Sequence, residues 1–478
     1  MRASSVLYLS FCTLGTLTSP AVAQLPTVEQ ASPTVRAVTT IDDAVAFALR
    51  ASPIIKIAAA TRNAAAARVG IARAETRPTL SANTFVSGGT LPNIVQSPSL
   101  PVSTMIMGLP KGGYIDQNLM FMYPLYTGGR LAAMVRQAEA MRETSEAERE
   151  AKRQEVALLV RVAYRETLAR RAATAASRTT LVASEERLRA DRVRAEKGSI
   201  PAYFVSQDES EVATSRQAVA EAERDAELSL AALKTAMGVP LTARLALVEN
   251  IESRSLAALV SEIVSPLGAS QDATVEALVR RAQEERTELA ALAYRVSGAR
   301  DGESVVRSQF RPQVNAFVMG DVFRGERQSG GTGITYGITA SVPLIDGGSQ
   351  RARRDEARAM REEQEAEGGK LLLEIGQEVN EAYLRAATAE QSIISAQAAL
   401  ASAQEAYKAA DARYQAGRSV LSELLSVSAI RTRAESAVTR AVLEGGIAHD
   451  QLRRAVGVIL PRSSGQTPPK NNNAYTDE

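Results

Sequence analysis

The chain repeats one set of landmarks at a single fixed offset, that of Pro343 from Pro124, and this duplication constrains the fold more than any other feature. The landmarks are a proline, a double glycine and two single glycines: Pro124 and Pro343, Gly128-Gly129 and Gly347-Gly348, Gly198 and Gly417, Gly238 and Gly457. Both copies therefore have the same length of chain between the double glycine and the first single glycine. This period far exceeds that of a solenoid repeat, so the sequence predicts two copies of a whole half-domain.

The first copy differs from the second by an insertion. Arg77-Pro78 recurs as Arg311-Pro312 at a wider separation than the other landmarks, so the first copy has additional residues between this dipeptide and its proline. The excess falls around residues 88–113, where we expect a longer outer loop. After a leader segment, we predict an N-terminal extension at 24–40, a first repeat at 41–240 and an equatorial segment at 241–271. A second repeat at 272–460 and a disordered tail at 461–478 follow.

The N-terminus has the pattern of a secretory signal. Arg2 precedes an apolar stretch, and Ala21-Val22-Ala23 supplies a small-residue cleavage site, so we expect a Sec signal peptide at 1–23. Cys12, the only cysteine, lies inside that segment. The sequence therefore predicts a mature chain with no disulfide and no cysteine for a lipid anchor.

Charge and motif content argue against several functions. Basic and acidic residues nearly balance at a net charge of +2, and they are spread along the predicted helices, which argues against nucleic acid as a partner. The chain has no P-loop, no paired His or Cys metal motif and no G-x-S-x-G elbow. We interpret the single histidine, His449, as structural. We expect no enzyme activity, no cofactor and no metal site.

Two regions combine charge depletion with alternating apolar and polar residues. Between Pro78 and Gly129 only Lys111 and Asp116 are charged, although charged residues make up 23% of the chain. The alternation predicts four transmembrane strands, at about 78–88, 113–123, 312–322 and 334–342. A soluble antiparallel sheet with one hydrated face shows the same alternation. The signal peptide, the charge gap and local aromatic enrichment favour strands in a membrane over a soluble sheet.

Four strands per chain cannot close a barrel, and an open sheet edge in lipid leaves backbone groups unpaired. Two chains would give eight strands, whose interior side chains nearly fill. Three chains would give twelve strands and a lumen, which suits small inward residues such as Thr335, Gly337 and Thr339. The sequence thus predicts a mixed α/β membrane protein that forms a homotrimer with a twelve-stranded transmembrane β-barrel.

Long helical patterns follow each double glycine. The sequence predicts long helices at 128–197 and 347–416, each followed by a return helix, at 199–238 and 419–457. A further helical stretch leads into the first strand of each copy, at 53–77 and 287–311. Stacked end to end with the return helix, this stretch nearly matches the long helix in length. Each copy therefore predicts one continuous and one broken rod, giving a long α-helical barrel of coiled-coil-like helices.

The repeated prolines and glycines predict two kinds of chain reversal. Pro cannot donate to a sheet ladder and Gly allows unusual backbone angles, so Pro124, Gly128 and Gly129, with Pro343, Gly347 and Gly348, mark the strand-to-helix junctions. Gly198 and Gly417 read as helix-ending glycines. Ser199 and Ser419 read as N-caps of the return helices.

In this ordered, duplicated set the chain resembles the TolC-like outer-membrane factor family over about residues 40–460. The segments that carry the resemblance are the two junctions, the second hairpin end and the opening helix: residues 123–130, 342–348, 413–425 and 41–49. The resemblance implies a trimeric barrel in the outer membrane that continues as a helical periplasmic tunnel. It also implies a periplasmic adaptor protein and an inner-membrane transporter as partners.

The resemblance further implies that the helix-hairpin ends close the tunnel or contact the adaptor. The candidate residues are Gly198, Ser199, Arg413, Tyr414, Gly417, Arg418, Ser419 and Glu423. The chain departs from the family pattern at Ser426, where a second acid is common, at Ser419, where an arginine is expected, and at Pro201. Glu423 is either part of a negative ring in a trimeric pore or an acid favoured by a helix N-terminus.

Together these features predict a passive exit duct of a tripartite efflux or type I secretion system. A periplasmic coiled-coil adaptor would have one helical hairpin and soluble β-domains, which the duplicated strands oppose. A trimeric surface protein without a channel would carry its strands at the C-terminus, whereas these strands are internal.

Overall fold

A computed structural model describes residues 38–87, 95–96, 105–106, 114–248, 255–264, 275–325, 328–416 and 418–460. The expected signal peptide, most of the N-terminal extension, most of the insertion at 88–113 and the expected tail lie outside the described residues. Gly417 lies outside them as well.

The described strands are short except for four that form one sheet. In chain order they are β1 Val38–Thr39, β2 Thr79–Ser87, β3 Val95–Gln96, β4 Met105–Ile106, β5 Tyr114–Tyr126, β6 Ala246–Leu247, β7 Gln313–Gly325 and β8 Gln328–Ser341. Strands β2, β5, β7 and β8 form an antiparallel sheet in that order. Strands β1 and β6 form a separate parallel pair, and β3 and β4 an antiparallel pair within the insertion.

The helices repeat in length as well as in order. They are α1 Ile41–Ala51, α2 Pro53–Ala74, α3 Arg130–Glu196, α4 Ala202–Met237, α5 Leu256–Val264, α6 Val275–Glu285, α7 Thr287–Ser308, α8 Ser349–Gln415 and α9 Leu421–Val456. The first repeat has helices of 11, 22, 67 and 36 residues, and α6 to α9 have the same four lengths. At 1.5 Å per residue, each 67-residue helix is about 100 Å long.

The sheet has one apolar and one polar face, as period-two alternation requires. One row of directly opposed residues crosses all four strands on the apolar face, namely Leu80, Phe121, Val318 and Tyr336. These side chains are exposed by 66%, 39%, 45% and 79%. The matching row on the polar face is Asn83, Asn118, Asp321 and Gly333, in which Asn83 Nδ2 donates to Asn118 Oδ1 at 2.9 Å.

Each return helix stacks end to end on the shorter helix of its own repeat. Gly238 ends α4, and a Cβ there would lie 3.1 Å from Ser52 Cα and 3.2 Å from Pro53 Cδ, at the start of α2. Gly457 ends α9 in the same way, against the backbone of Glu285 and Arg286 at the start of α7. Each repeat thus contributes one continuous rod and one broken rod.

The rods lie side by side in the order of the strands that they continue. On one side, α3 packs against α2 and α4, and on the other it packs against α7 and α9. Helix α8 packs against α7 and α9. Both layers therefore have two open edges: strand β2 with the α2–α4 rod at one end, and strand β8 with the α8 rod at the other.

Two apolar cores lie at mid-height of the rods, one for each repeat. Helix α1 packs on α3 and α4 through Ala44 and Val45, next to Val156 and Val160. In the second repeat, α5 and α6 pack on α8 and α9. Val156 and Val160 of α3 are buried in the core of the first repeat, whereas Leu159 between them is exposed.

Several element boundaries differ from the sequence expectation. Strand β5 runs on through Pro124 to Tyr126, so Pro124 lies inside a strand rather than after it, and the pairing with β7 shifts register between Pro124 and Tyr126. Pro343 does follow its strand. Neither predicted serine caps a return helix. Helix α4 starts after Pro201 and α9 after Val420, without a side-chain cap at either position.

Within the described residues, no single helix is both long and apolar enough for a membrane span, and only α1 and α2, bent by 42°, reach that level as a pair.

Candidate functional site

The strand-to-helix junctions have the same backbone in both repeats. Gly128 and Gly129 have φ of 61° and 91°, and Gly347 and Gly348 have φ of 65° and 91°. The second glycine of each pair is the N-cap of its long helix. These values lie in the left-handed region, which glycine adopts without a Cβ penalty. The double glycine therefore allows a tight turn from the strand into the long helix.

The two junctions differ in their surroundings. The Arg311 guanidinium donates to Gly128 O at 3.0 Å, and a Cβ on Gly128 would lie 2.5 Å from Arg311 Cβ. Gly347, the equivalent glycine, has no atom within 4 Å of its Cβ position. Arg77, the equivalent of Arg311, lies next to β2 at the opposite edge of the sheet.

The two hairpin ends are closed by the same kind of backbone hydrogen bond. Gly198 has φ of 70°, and Ser199 N donates to Arg194 O at 2.8 Å. At the equivalent positions of the second repeat, Arg418 N donates to Arg413 O at 2.8 Å. This bond from the residue after the glycine back across the last turn is a Schellman closure. Among the candidate residues, Ser199 and Arg418 thus act through their backbone.

The second hairpin end ties Glu423 to its own chain. Ser419 Oγ donates to Glu423 Oε2 at 2.6 Å, and Arg413 Nη1 lies 3.5 Å from Glu423 Oε1. Glu423 lies in the first turn of α9, where the helix dipole favours an acid. The structure thus brings Arg413, Ser419 and Glu423 together across the turn. Tyr414 and Ser426 are exposed nearby.

The first hairpin end has different chemistry at equivalent positions. Tyr203 and Phe204 stack with ring centroids 4.3 Å apart, and both are exposed. Phe204 takes the place that Glu423 has in the second repeat. Pro201 precedes α4 with extended backbone angles, so it starts the helix without a side-chain cap. The duplication is therefore closer in backbone than in side chains.

Buried charged groups lie between the rods at mid-height, and one pair joins the two repeats. Arg165 Nε donates to the buried carboxylate of Asp450 at 3.0 Å, from α3 to α9. Arg286, also buried, donates to the Arg454 and Ala455 carbonyls at the end of α9. Burial acts to raise the pKa of Glu288, but the guanidinium groups of Arg454 and Arg286 outweigh it and lower that pKa. These contacts fix how the rods pack.

His449 is half-buried in α9. Burial lowers the pKa of its imidazole, against the raising effect of Asp450 and Glu390. In the described part of the chain, no three His, Cys, Asp or Glu side chains come together as a metal site.

A small two-faced sheet continued by two long helical hairpins is the architecture of an outer-membrane efflux channel subunit. The family model for outer membrane efflux proteins matches residues 45–239 and 278–458, so the chain belongs to that family. The two matched segments correspond to the two structural repeats. The match confirms the resemblance, and it favours an exit duct for efflux over the adaptor and surface-protein alternatives. The family consists of channel proteins rather than enzymes.

Solved structures support the fold. The chain is similar to the outer membrane protein VceC of Vibrio cholerae at 19% identity, covering 87% of this chain and 96% of that one, with a TM-score of 0.66. The Campylobacter jejuni CmeC outer membrane channel gives 16% identity, 88% and 86% coverage and a TM-score of 0.69. The open state of the Neisseria gonorrhoeae MtrE outer membrane channel has 19% identity, and the match covers 89% of this chain and 91% of that one with a TM-score of 0.66. No curated protein sequence matches the chain.

Proposed function

We propose that three copies of this chain form a closed ring: a twelve-stranded barrel in the outer membrane, continued by a periplasmic tunnel of twelve helical rods. The observation that carries this proposal is that sheet and rods have the same lateral order and the same two open edges. An open edge leaves backbone groups unpaired in lipid, and the ring pairs them. The apolar row from Leu80 to Tyr336 would then face lipid and the polar row the lumen.

The duplication specifies which residues meet where two copies join. Within the chain, α7 packs on α3, and a Cβ on Gly298 would lie 3.5 Å from Ala140 Cβ. In the other repeat, Ala64 on α2 has the position equivalent to Gly298, and Ala359 on α8 has the position equivalent to Ala140. These two alanines lie at the two open edges, one at each. Both alanines are exposed in the single chain. A second copy would bring them into the same close approach.

Other contacts inside the chain also have equivalent residues at the two open edges, and these residues are complementary. A Cβ on Gly302 would lie 2.9 Å from Gln137 Nε2, and the equivalent positions hold Arg68 and Glu356, which carry opposite charges. Phe121 pairs with Val318, and the equivalent residues are Ala340 on β8 and Thr84 on β2. Ala340 and Thr84 both lie on the apolar face, where a second copy would place them side by side. Arg311 beside Gly128 becomes Arg77 beside Gly347, which fills the space around that glycine.

Disulfide cross-linking tests the ring. Ala64→Cys and Ala359→Cys are combined in a Cys12→Ser background, because Cβ atoms about 3.5–4.5 Å apart form a disulfide readily. We expect oxidation of membranes to give dimer and trimer bands on denaturing gels, with nothing larger, because a ring of three closes. Either cysteine alone should give no trimer, and Ala140→Cys with Gly298→Cys should cross-link only within one chain.

Absence of the trimer band, or a ladder that continues beyond three chains, would contradict the proposed ring.

We further propose that the duct is passive and takes its energy from partners. A periplasmic adaptor and an inner-membrane transporter of an efflux or type I secretion system would engage the hairpin ends, about 100 Å from the sheet. Gly198, Ser199, Arg413, Tyr414, Gly417, Arg418, Ser419 and Glu423 are the proposed adaptor or gating positions. The pairing of Glu423 with Arg413 supports a turn-closing role more than a free negative ring.

A further inference from the structure

The last turns of the first hairpin enclose a cluster of charged side chains. Asp208 on α4 is only 3% exposed, and Arg187 on α3 pairs with it at 2.7 Å and with Glu211 at 3.1 Å. Asp191 on α3 is close enough to Asp208 to raise the pKa of its carboxyl, and it pairs with Arg194 at 3.1 Å. Two guanidinium groups thus face three carboxylates, and one proton would balance the cluster.

One oxygen of the cluster lacks a donor. Among the described residues, Asp208 Oδ2 is buried and receives no hydrogen bond. A buried acceptor without a donor is costly, and two neighbouring carboxylates repel each other. A proton on Asp208 removes both costs, because the carboxyl can then donate to Asp191. Burial raises the pKa of the Asp208 carboxyl, Arg187 opposes the rise, and Asp191 adds to it.

The second hairpin has no such cluster. The positions of the second repeat that are equivalent to Arg187, Asp191, Asp208 and Glu211 hold Ala406, Ala410, Val427 and Ile430. Two helix ends of equal length and equal backbone closure therefore differ at these four positions, which are charged in the first hairpin and apolar in the second.

We propose that the end of the first hairpin is a proton-responsive latch: a proton on the buried Asp208 carboxyl ties α4 to α3, and its loss loosens the last turns before Gly198. Its effect on the tunnel opening rests on the proposed function. A raised pKa in the folded state means that the stabilisation is fully present in acid and is lost as the pH rises through that pKa. The hairpin end should therefore stiffen on acidification.

The charged groups around the cluster do not provide an alternative switch. Helix α3 is the helix packed against this stretch of α4, and it contributes Arg187, Asp191 and Arg194. The flanking pairs, Arg192 with Glu209 and Arg216 with Glu185, are exposed, so solvent screens them.

A spin label tests the latch in the full chain, purified in detergent. In a Cys12→Ser background, the nitroxide is attached at Lys197→Cys, beside the first hairpin end. Its mobility is recorded from about pH 4, near the ordinary aspartate pKa, to about pH 8. We expect the mobile fraction to rise by about twofold with pH. With Asp208→Asn, which mimics the protonated carboxyl, the label should stay in the acid-like state throughout.

Matched controls separate the latch from general effects. Glu209→Gln removes a neighbouring exposed carboxylate and should leave the response intact. A label at Ala416→Cys, the equivalent place on the second hairpin, should show little change over the same range. Replacing all four cluster residues with their second-repeat equivalents, Arg187→Ala, Asp191→Ala, Asp208→Val and Glu211→Ile, should remove the response even if Asp208→Asn folds poorly.

A flat wild-type profile, an unchanged response in Asp208→Asn, or an equal response at Ala416 would overturn the latch. None of these outcomes depends on channel formation. A failed cross-link between Ala64 and Ala359 would instead contradict the ring and leave the latch standing.

Discussion

Gly238 and Gly457 show why single residues recur at the repeat offset. Both have a left-handed φ, 72° and 87°, and both come within 3.1 Å of the helix stacked beyond them, measured from a Cβ position. Any side chain there would meet two penalties, backbone strain and collision with another helix. Gly198 has a similar φ of 70° but no atom within 4 Å of its Cβ position.

This difference gives a prediction at the residue scale. Gly198→Ala should lower the free energy of unfolding by about 1–2 kcal/mol, the cost of a left-handed alanine. Gly238→Ala and Gly457→Ala should each cost more, because the added Cβ also pushes the stacked helices apart. Thermal unfolding followed by circular dichroism in detergent measures the three variants. Equal losses at all three positions would show that the end-to-end contact contributes nothing.

The two N-cap expectations are wrong, and two contacts near the hairpin ends are missed, for one physical reason. Ser199 and Ser419 have the residue type of an N-cap, but the helices begin after Pro201 and Val420. The pairing of Glu423 with Arg413, and the enclosure of Asp208, depend on contacts between separate segments. The local sequence pattern contains no information about such contacts. The glycines that require a positive φ can be predicted, because their residue type and their recurrence at the repeat offset are both visible in the sequence.

At the scale of elements, α3 and α9 are joined by a buried ion pair that crosses a glycine. Arg165 reaches the carboxylate of Asp450 over Gly446, where a Cβ would collide with the guanidinium group. The equivalent positions at the two open edges hold Leu384 and Ala231. In the proposed ring, the same helix packing would use charges inside the chain and apolar side chains where two chains meet.

We expect Arg165→Leu to cost about 3 kcal/mol, since it leaves a buried carboxylate with weaker pairing to Arg161. The double variant Arg165→Leu with Asp450→Ala introduces the two residue types of the equivalent open-edge positions and should recover part of that loss. Unfolding midpoints of the two single variants and the double variant form a thermodynamic cycle. Strictly additive losses would argue against the pair as the main contact.

The positions of the helices and strands follow largely from local pattern. Apolar periodicity after each double glycine indicates the long helices, and period-two alternation indicates strands such as β8. The sequence does not distinguish α5 as a helix, because its nine residues are too few to establish a period. The extension of β5 through Pro124 is missed because it depends on pairing with β7.

On the scale of the whole molecule, the two faces of the sheet should differ in their tolerance of charge. Tyr336→Arg places a cation on the proposed lipid face and should cost about 2–4 kcal/mol near mid-depth. Thr335→Arg places the same cation on the neighbouring residue, which faces the proposed lumen, and should be tolerated. The yield of heat-resistant trimer in outer membranes compares the two variants. Equal yields would contradict a lipid-facing apolar row.

The repeat makes the proposed ring sixfold in shape but threefold in composition. Six half-chains of equal size alternate around it, so two kinds of boundary alternate as well, one inside each chain and one between chains. A half-length ancestor that assembled as a hexamer would have used a single boundary six times, and every substitution would have changed all six. Fusion of two such copies would let each boundary diverge separately. The difference between Arg165 with Asp450 inside the chain and Leu384 with Ala231 at its edges is of that kind.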